Sequence, residues 1–288
     1  MNTFAVISSS RNHSYDAFLP MTALMWRRVV GFEPLVLLTD TAAEWGGTKV
    51  GTVVLSTLLD LKVNVHFIGH IEGYLEAQAS QSSRQHAAAL IMNEDDVLIT
   101  ADQDMWPLNH DWFRRHDPAK YAVTLWYANA YGPVVHPSSP PYHCTPYVGA
   151  TAKVWREVMG LRQTGEIASQ LQDNFDRTLG RSHDSWMAWW HDELFFGSRL
   201  KAWHGYPSQC QFIEREGQPP RDRIDRSGWP NSYSKEFLAG IVDAHCIRPP
   251  LVAPNWQPLR DLLMHYLPEE DMKFIAEFVK AYRKARYE

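Results

Sequence analysis

Over its first hundred residues the chain alternates between two hydrophobic patterns. Short unbroken apolar runs give way to stretches in which apolar residues return every three or four positions. Phe4-Ala5-Val6-Ile7 is the first run, and it stops in the hydroxyls Ser8, Ser9 and Ser10. From Ser14 to Val30 the residues Ala17, Phe18, Met21, Leu24 and Met25 keep helical spacing, with Pro20 near the first turn and Gly31 at the end. Residues 34–40 form a second apolar run that ends on Asp40, and residues 63–68 alternate as a third strand. Helices are predicted between them, from Thr48 to Asp60 and from Leu75 to Met92, the latter carrying Arg84. A fourth run, Val97 to Ala101, ends in Asp102-Gln103-Asp104. Unbroken apolar strands alternating with helices predict a mostly parallel sheet covered on both faces. Ligands of such sheets bind beyond the carboxyl ends of the strands, where helix amino-termini also favour phosphate. Ser8, Ser9 and Arg11, Asp40, and Asp102 with Asp104 should therefore converge there.

Beyond Trp106 the pattern loosens. A short helix from Asp111 and a strand from Tyr121 to Tyr127 are expected. A proline-rich loop, 128–147, then carries Tyr131, His136 and Tyr142. Tyr147-Val148-Gly149-Ala150-Thr151 resumes order and leads into a helix through Val158, with another over 165–179. Ser182-His183-Asp184-Ser185 reads as an N-cap for a Trp-rich helix from Trp186 to Leu200, with Trp186, Trp189 and Trp190 packing inward. An irregular strand over 203–212 and a mobile polar loop over 214–236 precede a last strand that reaches His245. Two amphipathic helices, ending in basic residues, close the chain. We read one α/β domain over 1–288: a nucleotide-binding half to 105, a sugar and acceptor half over 106–250, and C-terminal helices from 251.

Composition narrows the partners. A net charge of −5 lacks the basic footprint of a nucleic-acid binder. Three scattered cysteines suit neither a disulfide framework nor a zinc cluster, and point to a reducing compartment. The amino-terminus has no signal-peptide pattern, and no apolar run is long enough to span a membrane. Twelve tryptophans are many for 288 residues, and several border polar loops, where aromatic faces can stack on sugars. Trp126, Tyr131, Tyr142 and Trp229 are the candidates; a tryptophan-rich core is the other reading.

The acidic tripeptide is the sharpest chemical feature. At a strand end, residues two apart point the same way, so Asp102 and Asp104 can both reach one hard cation. Mg²⁺ and Mn²⁺ prefer such oxygen ligands, commonly completed by substrate phosphates. The same tripeptide also reads as a polar turn in which Asp104 caps the next segment. Neither a Gly-x-Gly-x-x-Gly after the first strand nor a P-loop is present.

Strand–helix alternation closed by Asp95-Asp96-Val97-Leu98-Ile99-Thr100-Ala101-Asp102-Gln103-Asp104 resembles the GT-A glycosyltransferase fold with its DxD motif. So do a Tyr-Val-Gly-Ala segment some forty residues on, a helix carrying Asp192-Glu193, and a late strand ending in His245. The resemblance implies a metal-dependent transferase that uses a UDP- or GDP-sugar donor and a glycan or other hydroxyl acceptor, in the cytoplasm. It implies Asp104 and His245 as direct ligands of Mn²⁺ (or Mg²⁺), with Asp102 acting through water or the ribose. Asp192 or Glu193 becomes the catalytic carboxylate; they are about 100° apart on a helix, so one should face the site. Asp40 is a candidate for the base or ribose, and Arg84 for the base or phosphate; Gln103, as the middle residue of the DxD, joins the nucleotide-binding set. Arg248 and Lys235 are candidates for phosphate. One retaining family follows its late histidine with a Gly and then Lys-Pro-Trp, whereas Cys246-Ile247-Arg248-Pro249-Pro250 stands here, so no stereochemistry carries over. A nucleotidyltransferase on a related fold and a non-catalytic carbohydrate-binding protein are the alternatives.

Overall fold

The computed structural model describes residues 1–132, 143–163, 166–178 and 190–288. His136 and Tyr142, the expected N-cap at 182–185, and Trp186 and Trp189 lie outside them.

Among the described residues the ten strands are β1 (Thr3–Ser9), β2 (Glu33–Thr39), β3 (Asn64–Gly69), β4 (Val97–Ala101), β5 (Met105–Pro107), β6 (Val123–Trp126), β7 (Val148–Thr151), β8 (Cys210–Ile213), β9 (Arg223–Ile224) and β10 (Asp243–His245). Seven of them form one sheet in the order β3-β2-β1-β4-β7-β6-β8, and the other three form a small sheet, β5-β10-β9. In the large sheet only β7 runs against its neighbours β4 and β6. The α-helices are α1 (Leu19–Met25), α2 (Ala42–Gly46), α3 (Lys49–Asp60), α4 (Glu76–Ser83), α5 (His110–Phe113), α6 (Ala152–Met159), α7 (Ile167–Thr178), α8 (His191–Ala202), α9 (Lys235–Ala239), α10 (Trp256–Tyr266) and α11 (Glu269–Tyr287). This is the mostly parallel, helix-covered sheet with a helical tail that the pattern predicts and the GT-A resemblance implies.

The unbroken apolar runs have a direct cause. Ala5 and Ile7 of β1, Val36 and Leu38 of β2, and Val97, Ile99 and Ala101 of β4 enter one buried cluster. Their alternates Val6, Leu35, Leu37 and Leu98 enter a second on the opposite face. Both faces of each strand are dry, so no polar alternation survives.

Local signals work as expected at several ends. Pro20 sits in the first turn of α1, and Gly31 closes the following π-helical turn at a left-handed φ of 78°. Thr48 caps α3 by accepting from the Gly51 amide. The predicted helix over 75–92 divides into α4 and a 3₁₀ segment, Arg84–Ala89. The tail docks back on the first half: Arg28 holds Asp271 through two bonds of 2.6 and 2.9 Å, and the Tyr282 hydroxyl donates to buried Asp16 at 2.6 Å.

Segment 214–236, expected to be a mobile loop, is pinned instead. It contains β9, and its buried Arg215 holds Asp243 at 2.9 and 3.0 Å. Arg223 grips the same carboxylate at 2.9 and 2.7 Å. Burial alone would raise the pKa of Asp243; the two guanidinium groups override it and hold the carboxyl far below its ordinary value. Part of the polarity here, Arg215 and Arg223, belongs to an internal ion network, while most other polar residues of the segment are exposed.

Candidate active site

A cleft of about 360 Å³ opens at the carboxyl edge of the large sheet. Ser8 and Ser10 reach it at and beyond the end of β1, Asp102, Gln103 and Asp104 after β4, Glu193 from α8, and His245 and Arg248 at and beyond the end of β10.

The two acidic residues of the DxD do not act in parallel. β4 ends at Ala101, and the chain turns at once, with the Met105 amide donating to the Asp102 carbonyl at 3.2 Å. The two-residue period of a strand therefore does not apply, and the carboxylates part. Asp102 pairs with Arg84. Asp104, only 5% exposed, turns toward the small sheet. There β5 runs antiparallel to β10 with Met105 opposite His245, which brings Asp104 Oδ2 to 3.5 Å from His245 Nε2. Arg248 Nε lies 3.3 Å and Arg226 Nη1 3.7 Å from the same carboxylate oxygen. Burial lowers the pKa of His245, and Asp104 more than offsets this, so the imidazole ends above its ordinary value.

Two of the three expected metal ligands thus meet, and Asp102 stands apart from them. Among the described residues, the trio whose ligand atoms lie within 4.8 Å of one another is Asp40, Glu44 and His70. That trio neutralises itself: His70 places Nε2 2.6 Å from Glu44 and Nδ1 3.1 Å from Asp40, while Arg11 donates to Asp40 at 2.6 Å. Glu44 first, then Asp40, raises the His70 pKa and favours the imidazolium that fills the gap. Arg11, Asp40 and Ser9 do not line the cleft; Asp40 and Ser9 are fully buried beside it.

Arg84 is 5% exposed and bridges two acids, pairing with Asp102 and placing Nη2 3.3 Å from Asp192 Oδ2. Thr145 donates to the same Asp192 oxygen at 2.8 Å. Asp192 is thereby consumed in holding Arg84. Glu193 faces the cleft instead. Its Oε1 accepts from the Tyr131 hydroxyl at 2.9 Å, and its buried Oε2 has no hydrogen-bond partner. Burial pushes both pKa values up. Asp192 has Arg84 and Thr145 to keep its charge; Glu193 has that charge beside it, so the proton of the pair resides on Glu193.

Of the stacking candidates, Tyr131 lines the cleft, whereas Trp126 is 1% exposed in the core with its indole N–H on the Trp112 carbonyl at 2.9 Å. Trp229 packs against the core and donates to Tyr233. Lys235 is exposed at the start of α9, away from the cleft. Arg223 and Arg226, which line the cleft, and Asp225, which touches His245, escaped the sequence reading. They lie in a polar stretch without periodicity, and only their place beside β10 reveals them.

No helix among the described residues is long and apolar enough to cross a membrane. No protein-family model matches the sequence, and no curated protein matches it either. Solved structures do. One holds the galactosyltransferase LgtC with donor and acceptor sugar analogs: the TM-score is 0.48 at 13% identity, over 94% of this chain and 99% of LgtC. The apo-form glycosyltransferase GlyE of Streptococcus pneumoniae TIGR4 gives 0.47 at 12% identity, over 98% of this chain and 64% of GlyE. The bifunctional WbbM apo structure gives 0.49 at 10% identity, over 94% of this chain and 51% of WbbM. At these identities and scores, what the cleft does has to be read from its own side chains.

Proposed function

We propose that this chain is a metal-dependent glycosyltransferase that moves a sugar from a UDP- or GDP-sugar to a glycan or other hydroxyl acceptor. The observation that carries it is the pairing of Asp104 Oδ2 with His245 Nε2, 3.5 Å apart on the wall of a cleft at the carboxyl edge of a parallel sheet. Asp104 and His245 are the carboxylate and imidazole that would hold a divalent cation at that spacing. The imidazole favours Mn²⁺ over Mg²⁺. When bound, the cation supplies Lewis acidity that neutralises the leaving diphosphate.

The remaining roles follow from position. Arg226 and Arg248, which face Asp104 on the wall of the cleft, would bind phosphate oxygens there, where guanidinium bonds are strong. Arg84 positions Asp102 at the cleft for water or the ribose, with Gln103 and Ser8 beside it. The bond from the anomeric carbon to the phosphate oxygen breaks, and the acceptor oxygen takes its place. In an inverting course Glu193, once it has lost its own proton, accepts the acceptor proton on Oε2; its raised pKa makes it a stronger base than an ordinary carboxylate. In a retaining course the same oxygen contacts the sugar. Free cysteines accord with a cytoplasmic setting.

A donor-hydrolysis screen over common nucleotide sugars with Mn²⁺ tests the reading. Release of UDP or GDP together with free sugar is expected, and its loss in His245→Ala. Release of a sugar phosphate or pyrophosphate would replace this reading with nucleotidyl transfer.

A further inference from the structure

The pinned segment 214–236 brings one more group to the edge of the cleft. β9 and β10 pair in parallel with Asp243 opposite Arg223 and Ala244 opposite Ile224. Continued by one residue, that register sets Asp225 beside His245. The register is fixed at its first pair, where Arg223 grips Asp243 through two bonds of 2.9 and 2.7 Å.

The two carboxylate oxygens of Asp225 have separate partners. Oδ1 accepts from the Ser227 amide at 3.0 Å and from its hydroxyl at 2.7 Å, which fixes the plane of the carboxylate. Oδ2 lies 3.2 Å from His245 Nδ1. With Nδ1 engaged, the ring turns Nε2 toward Asp104. Asp225 itself does not line the cleft, so it reaches the chemistry only through the imidazole.

We propose that Asp225 is a positioning residue: it accepts the Nδ1 proton of His245, sets the ring's tautomer and orientation, and leaves the Nε2 lone pair for a divalent cation shared with Asp104. A carboxylate behind a ligating histidine orients the ring and makes it a stronger donor, and losing it typically costs about 10–100-fold in metal affinity. The purpose of the device rests on the metal-dependent reading above; its geometry does not.

Two measurements test it. Long-range ¹H–¹⁵N NMR of His245 in the metal-free protein, at alkaline pH where the ring is neutral, should show the Nδ1–H tautomer. In Asp225→Ala the ring should shift toward Nε2–H, while Asp225→Asn, whose carbonyl oxygen can still accept, should keep most of the wild-type tautomer. Mn²⁺ affinity by calorimetry should fall about 10–100-fold in Asp225→Ala and be largely restored in Asp225→Asn. An Nε2–H tautomer in the wild type overturns the proposal without any variant, and so does an Asp225→Ala protein with wild-type tautomer and Mn²⁺ affinity. A wild type that binds no Mn²⁺, yet loses the Nδ1–H tautomer in Asp225→Ala, would retire the metal-dependent function and leave the positioning role standing.

Discussion

Asp243→Asn keeps the shape of a fully buried side chain and removes its charge. In the native structure that carboxylate accepts four bonds of 2.7–3.0 Å from Arg215 and Arg223. Asparagine offers one acceptor oxygen and turns an amide N–H₂ toward guanidinium N–H groups, so at least half of the bonds are lost. Arg215 keeps Asp222 at 2.9 Å; among the described residues Arg223 has no such second acid. Removing one partner of a buried ion pair costs about 3–5 kcal/mol, because the surviving charge stays desolvated. Domains of this kind hold about 5–15 kcal/mol in total, so about a fifth or more of the stability is at stake. The pKa of Asp243 lies below its unfolded value of 3.8, so its contribution is fully present above that value and is lost only as pH falls further. The mutant's deficit should therefore be constant from pH 5 to 8. Urea unfolding followed by circular dichroism reads it as a lower midpoint at unchanged slope. A deficit under about 1 kcal/mol would refute the claim that this network holds β9 to β10.

Other outcomes follow from the same contacts. Burial raises Asp16 from 3.8 to about 6, with Tyr282 pulling the other way. An acid whose folded pKa is raised is stabilised while protonated, so stability falls as pH climbs through that interval. Asp16→Asn should therefore gain up to about 3 kcal/mol at pH 7.5 and well under about 1 kcal/mol at pH 4, by thermal unfolding at both pH values. Gly149→Ala would set a Cβ 2.8 Å from the Trp126 ring and 3.2 Å from Ile99, and should lower the urea midpoint by about 1–3 kcal/mol in equivalent stability. In an inverting enzyme, Glu193→Gln should cut kcat by about 100-fold or more. Wild-type kcat/KM should rise with pH through the raised carboxyl pKa, since the base must first lose its proton, and an inflection that persisted in the glutamine variant would assign it to another group.

Much of this was legible from pattern alone, and the failures share a cause. Val6 and Ile7 point to opposite dry faces, so an apolar run was the only pattern β1 could show. The DxD was found for the same reason, since two acids after such a run have no place in the core. That the acids would part was not legible, because a strand's period says nothing about the turn that ends it at Ala101. Asp192 and Glu193 are neighbours on one helix, and only the position of Arg84, a hundred residues earlier, decides which is consumed. Trp126 borders a polar loop in sequence and still lies in the core, because its strand pairs between β7 and β8. Asp225, Arg223 and Arg226 are polar residues in a polar stretch; their meaning comes from pairing with β10, a long-range contact that local pattern does not encode.

The central claim is that Asp104 and His245 together hold a cation that binds the donor's diphosphate. Calorimetric titration of UDP and GDP, with and without Mn²⁺, tests it most directly. One nucleotide should bind at least ten-fold more tightly with Mn²⁺, and Asp104→Ala should abolish that gain while leaving the fold intact. Nucleotide affinity indifferent to Mn²⁺, or a gain that survives Asp104→Ala, would contradict the account.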